Sequence, residues 1–284
     1  MRSRSAGPRS GRSSRRSAEV VDLDRPYALD AGTVEAFRAN GFVRLKNVFI
    51  GDEVARYAPE IERLTLAKHA GPIEERSTYG KAFLQVTNLW EQSDLAREFV
   101  FGKRLARIAA ELLEVEGVRL YHDQSLMKEP GGGLTPAHAD QFYWPLASDR
   151  TVTAWVPLQA VPAAMGPISF YAGSHQFTFG RDLPISDESE ARISAEMERQ
   201  AFALVDDPFE LGEVSFHSGW TFHRASPNRT DRPRSVMTII YMDRDMRLAE
   251  PSAGQQADRE AFCPGVQISE IIKTEKTPVL WERC

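Results

Sequence analysis

A histidine and an aspartate stand two positions apart in the stretch 121–145, YHDQSLMKEPGGGLTPAHADQFYWP. On an extended strand such residues point to the same side, so His138 and Asp140 could bind one metal ion together. Zinc sites favour cysteines or several histidines. Two histidines and one carboxylate that leave coordination positions open are typical of non-haem Fe(II), which must also bind a co-substrate and oxygen. The pair is therefore half of a metal site and requires a distant second histidine.

His223 is the best candidate for that distant ligand. It lies in WTFHRASPNRTDRPRSVMTIIY, where Arg234 follows eleven positions later at the start of an apolar run. Alternation along a strand places Arg234 on the same face as Val236 and Thr238, so the guanidinium can point into an interior cavity. A charge that points inward needs a partner. An anionic co-substrate would supply one, because a guanidinium binds a carboxylate through two parallel hydrogen bonds.

Two alternatives stay open on this evidence. His217, six residues before His223, is the rival distal ligand. We favour His223 because His217 lacks the eleven-residue offset to an inward arginine, and we expect His217 to be a packed or hydrogen-bonded side chain. Three other arginines could hold the carboxylate in place of Arg234, namely Arg229, Arg232 and Arg244. The first two lie in a proline-flanked loop, where exposure to solvent is the default.

The elements that must position these residues change in kind along the chain. Apolar residues at helical spacing predict helices that begin near Asp30 and near Gly51, and a third over residues 102–115. After Gly117, six short apolar or alternating runs predict strands: VRLYHDQSLMK, TVTAWVPLQAV, GPISFYAGS, GEVSFHSG, WTFHRAS and RSVMTIIYM. Short strands behind a helical layer indicate a mainly β fold, an antiparallel sandwich or barrel with helices on one outer face.

The chain is predicted to be a tail followed by a single domain. Residues 1–17 contain six Arg and six Ser with almost nothing apolar, so they are expected to be disordered. An organelle transit peptide is a less favoured reading, because the segment lacks the apolar face of an amphipathic helix. The domain spans residues 18–284. Within it, residues 181–209 are an acidic, helix-prone insertion that is either a surface helix or a lid over the barrel mouth.

Composition and net charge limit which kinds of binding partner the chain can have. The chain is 42% hydrophobic and 26% charged, as in ordinary globular proteins. Its net charge is −5, and leaving out the six arginines of the tail makes the rest −11, which argues against a nucleic-acid partner. The absence of an 18-residue apolar run argues against a membrane span. Two cysteines, Cys263 and Cys284, favour free thiols in a reducing, cytoplasmic setting.

The motifs as a set resemble one known family. HAD, the distal WTFH, and PNRTDRPR with its second arginine are similar to the phytanoyl-CoA dioxygenase family of Fe(II)- and 2-oxoglutarate-dependent oxygenases, over roughly residues 32–245. The resemblance implies a double-stranded β-helix, a cupin-like jelly roll, behind N-terminal helices. It also implies that His138, Asp140 and His223 hold iron, and that Arg234 holds the distal carboxylate of 2-oxoglutarate.

Further residues follow from the same resemblance. Gln85 and Gln124 fall where family members place additional 2-oxoglutarate contacts, and Trp155 occupies an aromatic position of the family motif. The chain departs from the family in two places. Ala225 stands where some relatives have a cofactor-contacting serine, with Ser226 one place later, and the loop GGGLTPA is shorter than in the namesake enzyme.

The resemblance implies a dioxygenase that consumes O2, releases succinate and CO2, and hydroxylates an unactivated C–H bond. Asp140 argues against halogenation, since related halogenases carry a small residue there to admit halide. Desaturation, epimerisation or ring closure by the same chemistry are alternatives, and so is a jelly roll that binds metal or ligand without turnover.

The expected partner is a small organic metabolite of specialised biosynthesis, with neither nucleic acid nor membrane involved. Four aromatic residues near the metal ligands are candidate walls of its pocket: Phe142, Tyr143, Trp144 and Trp220. Ordinary barrel packing would account for them equally well.

Overall fold

Two antiparallel sheets enclose the candidate residues in a computed structural model that describes residues 21–68, 71–76 and 78–283. The tail predicted over residues 1–17 lies outside these ranges, as does Cys284. The helices are α1 (Ala31–Asn40), α2 (Gly51–Ala67), α3 (Thr78–Ala82), α4 (Asp94–Val100), α5 (Lys103–Leu113), α6 (Asp187–Arg199) and α7 (Gln256–Phe262). The strands are β1 (Phe42–Leu45), β2 (Leu84–Thr87), β3 (Gly117–Lys128), β4 (Thr135–His138), β5 (Thr151–Pro157), β6 (Ile168–Tyr171), β7 (Leu204–Val205), β8 (Val214–Ser218), β9 (His223–Ala225), β10 (Arg234–Asp243) and β11 (Val279–Glu282).

The larger sheet has seven strands in the order β1-β8-β5-β10-β3-β11, with β2 also paired to β3. The smaller sheet has four, in the order β4-β9-β6-β7. Consecutive strands such as β4, β5 and β6 alternate between the sheets, which is the pattern of a double-stranded β-helix, or jelly roll. Each of the six strands predicted from the sequence is present, so the mainly β fold with an N-terminal helical layer is confirmed.

The N-terminal helices begin and end where local chemistry directs. The Asp30 side chain accepts the Thr33 amide at 2.6 Å and caps α1, and Gly41 ends the helix in the left-handed conformation, with φ of 80°. Helix α2 begins at Gly51 and accommodates Pro59 in its interior. Helix α5 ends earlier than the predicted residue 115, because Glu114 adopts the left-handed conformation and Gly117 already begins β3.

One core joins the helical layer to the outer face of the larger sheet. The apolar stripe of α5, represented by Leu105 and Ile108, packs there together with Met237, Ile239 and Tyr241 of β10. Alternation then turns Arg234, Val236 and Thr238 of β10 towards the space between the sheets, as predicted. The helical layer thereby fixes the strand that carries the inward arginine.

The predicted insertion contains a helix that packs against the smaller sheet. Ile193 and Met197 of α6 are buried beside Ala137 of β4. The Glu190 carboxylate accepts the Ala137 amide at 2.7 Å. Helix α6 is thus attached to the strand that ends in His138. No helix in the part of the chain covered by the structure is long and apolar enough to cross a membrane.

Candidate active site

Three side chains meet between the sheets. One ligand atom from each of His138, Asp140 and His223 lies within 4.8 Å of the others. His138 ends β4 and pairs in register with His223 at the start of β9. The expectation that His138 and Asp140 share a strand is wrong, because β4 stops at His138 and Asp140 begins a 3-10 turn. That turn still brings Asp140 Oδ1 to 3.6 Å from Nε2 of both histidines.

Both imidazoles are oriented by the backbone. Nδ1 of His138 lies 2.7 Å from the carbonyl of Pro136, and Nδ1 of His223 lies 2.9 Å from that of Thr221. Since a carbonyl only accepts, each Nδ1 carries the proton and each Nε2 lone pair points at the Asp140 side. Burial lowers the pKa of both imidazoles to about 4, so they are neutral at pH 7.

The carboxylate between them stays ionised. Burial alone would raise the pKa of Asp140, but the neighbouring His223 and His217 lower it by more than burial raises it. The net shift of this pKa is therefore downward. Two neutral imidazole nitrogens and one carboxylate oxygen, all converging from one side, form a donor set suited to a divalent transition metal with open positions. The chemistry of these residues therefore fits iron.

His217 supports Asp140 from behind. Its Nε2 lies 3.2 Å from Asp140 Oδ2, and Thr153 Oγ1 donates to the same oxygen at 3.1 Å. Oδ1 is left to face the two other histidines. This arrangement agrees with the expectation that His217 is a hydrogen-bonded side chain. Of the other histidines, His175 bonds to the carbonyl of Arg38 and His69 lies outside the described ranges.

Two cavities share the wall formed by Gln124, His138 and Asp140. The inner cavity, about 60 Å³, lies between the sheets and is also lined by Trp155 and Arg234. The outer cavity, about 320 Å³, has an aromatic wall and one further carboxylate, Asp258. The three metal-binding candidates thus lie where a small inner ligand and a larger outer one could approach the same point.

Arg234 is the cation of the inner cavity. Its side chain is 2% exposed, donates to the Gly166 carbonyl at 2.6 Å, and leaves Nε without a hydrogen-bond partner among the described residues. Burial lowers its pKa to about 9. Among the residues that the structure describes, no carboxylate forms an ion pair with it. A buried guanidinium without a counter-charge is costly, so this is a site for an anion. The alternatives Arg229 and Arg232 are exposed, and Arg244 pairs with Glu282.

A second buried cation, Lys128, was missed by the sequence reasoning. It pairs in register with Arg234 across β3 and β10, is 0% exposed, and donates to the Gly133 carbonyl and to Thr135 Oγ1. Burial and then the charge of Arg234 lower its pKa to about 6. Its position opposite Arg234 depends on strand register, and no local motif in the sequence indicates it.

The residues that the resemblance added fall in two groups. Gln85 of β2 and Gln124 of β3 hydrogen-bond to each other and line the outer cavity, and Gln124 reaches the inner one as well. Trp155 is buried, with its ring 5.4 Å from the Arg234 guanidinium carbon. All three therefore adjoin the cavities that meet at His138 and Asp140.

The four aromatic candidates for the substrate pocket separate. Tyr143 and Trp144 line the outer cavity, whereas Phe142 and Trp220 do not. The Phe142 ring packs edge-on against Tyr143. Trp220 lies beneath the Arg181 guanidinium, 4.4 Å from ring centroid to guanidinium carbon, and lines a separate surface depression. The structure thus brings two of the four to the candidate site.

A family model decides the classification. The model described as phytanoyl-CoA dioxygenase (PhyH) matches residues 37–236, well over half of the chain. The chain belongs to the phytanoyl-CoA dioxygenase family. The resemblance drawn from the motifs is confirmed over nearly the same residues. This family member is an Fe(II)- and 2-oxoglutarate-dependent dioxygenase that uses O2.

Curated relatives and solved structures agree with the family. The ectoine dioxygenase of Streptomyces coelicolor is 23% identical over 259 residues, which cover 81% of this chain and 83% of that protein. The epimerase SnoN from nogalamycin biosynthesis, in complex with Fe3+, alpha ketoglutarate and nogalamycin RO, is 26% identical with a TM-score of 0.72, covering 88% and 98% of the two chains. The carbocyclase SnoK has the same TM-score of 0.72 at 23% identity, covering 91% and 98%.

Proposed function

We propose that this dioxygenase hydroxylates an unactivated C–H bond of a small organic metabolite, releasing succinate and CO2. The observation that carries the proposal is the meeting of two cavities at His138 and Asp140, the inner one with an uncompensated arginine and the outer one with aromatic walls. We place the enzyme in the cytoplasm, in keeping with a chain that has two cysteines, of which Cys263 is a buried free thiol.

Each part of the site has a distinct role in this proposal. His138, Asp140 and His223 hold the iron from one side. Arg234 binds the distal carboxylate of 2-oxoglutarate in the inner cavity, with Lys128 next to Arg234 on the paired strand, while Gln124 lines both cavities and Gln85 lines the outer one. When bound, iron with 2-oxoglutarate activates O2 to oxidise the substrate. The chain orients both ligands and excludes water.

Arg234 gives this function its sharpest test. Anaerobic addition of Fe(II) and 2-oxoglutarate should produce the visible charge-transfer band of the chelate in the wild-type protein. Arg234→Ala should weaken 2-oxoglutarate binding by ~100-fold, because a bidentate charge pair is lost, and leave iron affinity within ~2-fold. Calorimetric titration of iron and of 2-oxoglutarate separately measures both constants.

The matched control is Arg229→Ala, since Arg229 is exposed in the loop before Arg234. It should leave both affinities unchanged. Equal loss of iron and 2-oxoglutarate in Arg234→Ala, or a folded wild type without the band, would contradict the assignment.

Ring closure or epimerisation is the second candidate, favoured by the carbocyclase and epimerase whose folds match over 98% of their chains. Product mass separates the reactions. A panel of metabolites is screened for compounds that stimulate succinate formation, and the mass of the product is then measured by mass spectrometry. Hydroxylation adds one oxygen, ring closure or desaturation removes two hydrogens, and epimerisation leaves the mass unchanged. A protein that binds iron and 2-oxoglutarate but forms no succinate with any member would be a binding protein without turnover.

A further inference from the structure

The outer cavity contains one carboxylate that has no role in binding iron or 2-oxoglutarate. Asp258 lies on α7 and lines this cavity together with His138 of β4 and Asp140 of the turn that follows β4. Its side chain is half-buried, and within the described ranges it forms no ion pair with a lysine or arginine. The site therefore presents an acid without a cationic partner.

Burial raises the pKa of Asp258 to about 6, and the neighbouring Tyr121 hydroxyl opposes the rise. The group is thus mostly ionised at neutral pH although it is partly withdrawn from water. An ionised carboxylate in such a place is destabilising unless a cation approaches it. A ligand with a positive charge would supply that cation.

The walls beside Asp258 suit the same kind of ligand. Tyr143, Trp144 and Phe262 line this cavity, and aromatic faces attract cations. Burial raises the pKa of Tyr143, and the charges of Asp140 and Asp258 both add to the rise. Tyr143 lines the cavity together with both carboxylates.

A buried polar group in the same wall also lacks a partner. His122 is 5% exposed, stacks on Phe262 with ring centroids 4.4 Å apart, and has no hydrogen-bond partner for Nδ1 in the described part of the chain. Burial lowers its pKa to about 4, so it is neutral at pH 7 and cannot supply the missing positive charge.

We propose that the substrate carries a basic or quaternary nitrogen, which Asp258 and the aromatic wall hold in the outer cavity while another part of the molecule faces His138, Asp140 and His223. The identity of the reacting end rests on the proposed function, whereas the cation site rests on the cavity itself. The substrate class is therefore a compact organic cation or zwitterion, and Asp258 determines specificity for its charge.

A pair of isosteric probes tests the charge alone. Choline and 3,3-dimethylbutan-1-ol differ in having nitrogen or carbon at the branch point, and both are small enough for a cavity of about 320 Å³. Calorimetric titration is carried out anaerobically on the protein loaded with Fe(II) and 2-oxoglutarate. The wild type should bind choline at least ~10-fold more tightly than the alcohol, and Asp258→Asn should reduce that preference to within ~2-fold.

Two variants keep the result interpretable. Asp258→Glu retains the charge and should retain part of the preference, and Glu260→Gln removes an exposed acid of the same helix and should retain all of it. Unchanged binding of the alcohol by Asp258→Asn shows that the cavity is intact. Choline that binds wild type no better than the alcohol, or a preference that survives in Asp258→Asn, overturns the proposal.

The same samples separate this proposal from the proposed function. A charge-transfer band without a preference for choline overturns the cation site alone. A preference for choline without the band overturns the iron and 2-oxoglutarate assignment and leaves the cation site standing.

Discussion

At the scale of single residues, the site depends on which oxygen of Asp140 faces which neighbour. Oδ2 accepts from Thr153 and lies against His217, so Oδ1 is directed to the two other histidines. Hydrogen bonds behind a metal ligand fix its orientation, and their removal typically lowers metal affinity 10–100-fold. His217 is in this sense a positioning residue for Asp140, the proposed iron ligand.

Removal of His217 should therefore weaken iron binding without abolishing it. We expect His217→Phe to lower Fe(II) affinity by ~10-fold, because Asp140 retains Thr153 as one partner, whereas His223→Ala should lower it by far more. Anaerobic titration with Fe(II) measures the affinity, and the position of the charge-transfer band reports the ligand field. Loss of iron binding as complete as in His223→Ala would make His217 a ligand instead.

The sequence allowed His138, Asp140 and Arg234 to be predicted because their signals are local, and His223 because Arg234 follows it eleven positions later. His138 and Asp140 are two residues apart, and Arg234 begins an alternating run. The partner of His217 and the position of Lys128 could not be predicted, since His217 meets Asp140 across 77 positions and Lys128 meets Arg234 through strand register. Local spacing carries no information about such pairs.

At the scale of elements, α6 connects the predicted insertion to β4 and β9, the strands that carry His138 and His223. Glu190 accepts the Ala137 amide of β4 and pairs with Arg224 of β9 at 2.5 Å. Just before the helix, the Ile185 amide donates to the Tyr143 hydroxyl at 2.8 Å, and Ile185 lines the outer cavity. These contacts favour the lid interpretation, which stays a prediction because closure over a ligand has not been tested.

Loss of the Glu190 contacts should release this helix before the rest of the fold. We expect Glu190→Ala to cost about 1–3 kcal/mol, because it leaves the buried Ala137 amide without its acceptor. Urea unfolding measures the loss, and amide hydrogen exchange should rise first within residues 187–199. Glu188→Ala, which removes only an exposed pair with Arg192, should change neither by much. Equal effects in the two variants would contradict the attachment.

Elements at the C-terminal end show the limit of prediction from periodicity. Helix α7 has seven residues and β11 has four, so neither is long enough to show a convincing apolar repeat. Yet α7 supplies Asp258 and Phe262 to the outer cavity. The wall of the outer cavity that α7 provides was therefore less visible in the sequence than the candidate metal ligands.

At the scale of the whole molecule, the fold buries two basic side chains next to each other. Lys128 and Arg234 are both buried on paired strands, and neither has a carboxylate partner among the residues the structure covers. Burial of unpaired charge reduces the free energy of unfolding. The free energy of unfolding should thus be lower without 2-oxoglutarate than in its complex, where the anion is paired with the buried basic groups.

This arrangement predicts a specific dependence of stability on pH. The pKa of Lys128 is about 6 in the folded chain and near 10.5 when unfolded, so between these values the unfolded state binds more protons. The contribution of Lys128 to the free energy of unfolding therefore rises as pH rises from about 6 towards 10.5. Lys128→Met removes this dependence. In protein free of 2-oxoglutarate, the free energy of unfolding of the wild type should therefore rise relative to that of the variant as pH rises. Urea unfolding of both proteins at several pH values gives the difference directly. Saturating 2-oxoglutarate should make this difference in the free energy of unfolding depend less on pH, because an anion beside Lys128 raises its folded pKa. A difference that stays constant with pH, both with and without 2-oxoglutarate, would mean that Lys128 does not titrate as its burial requires.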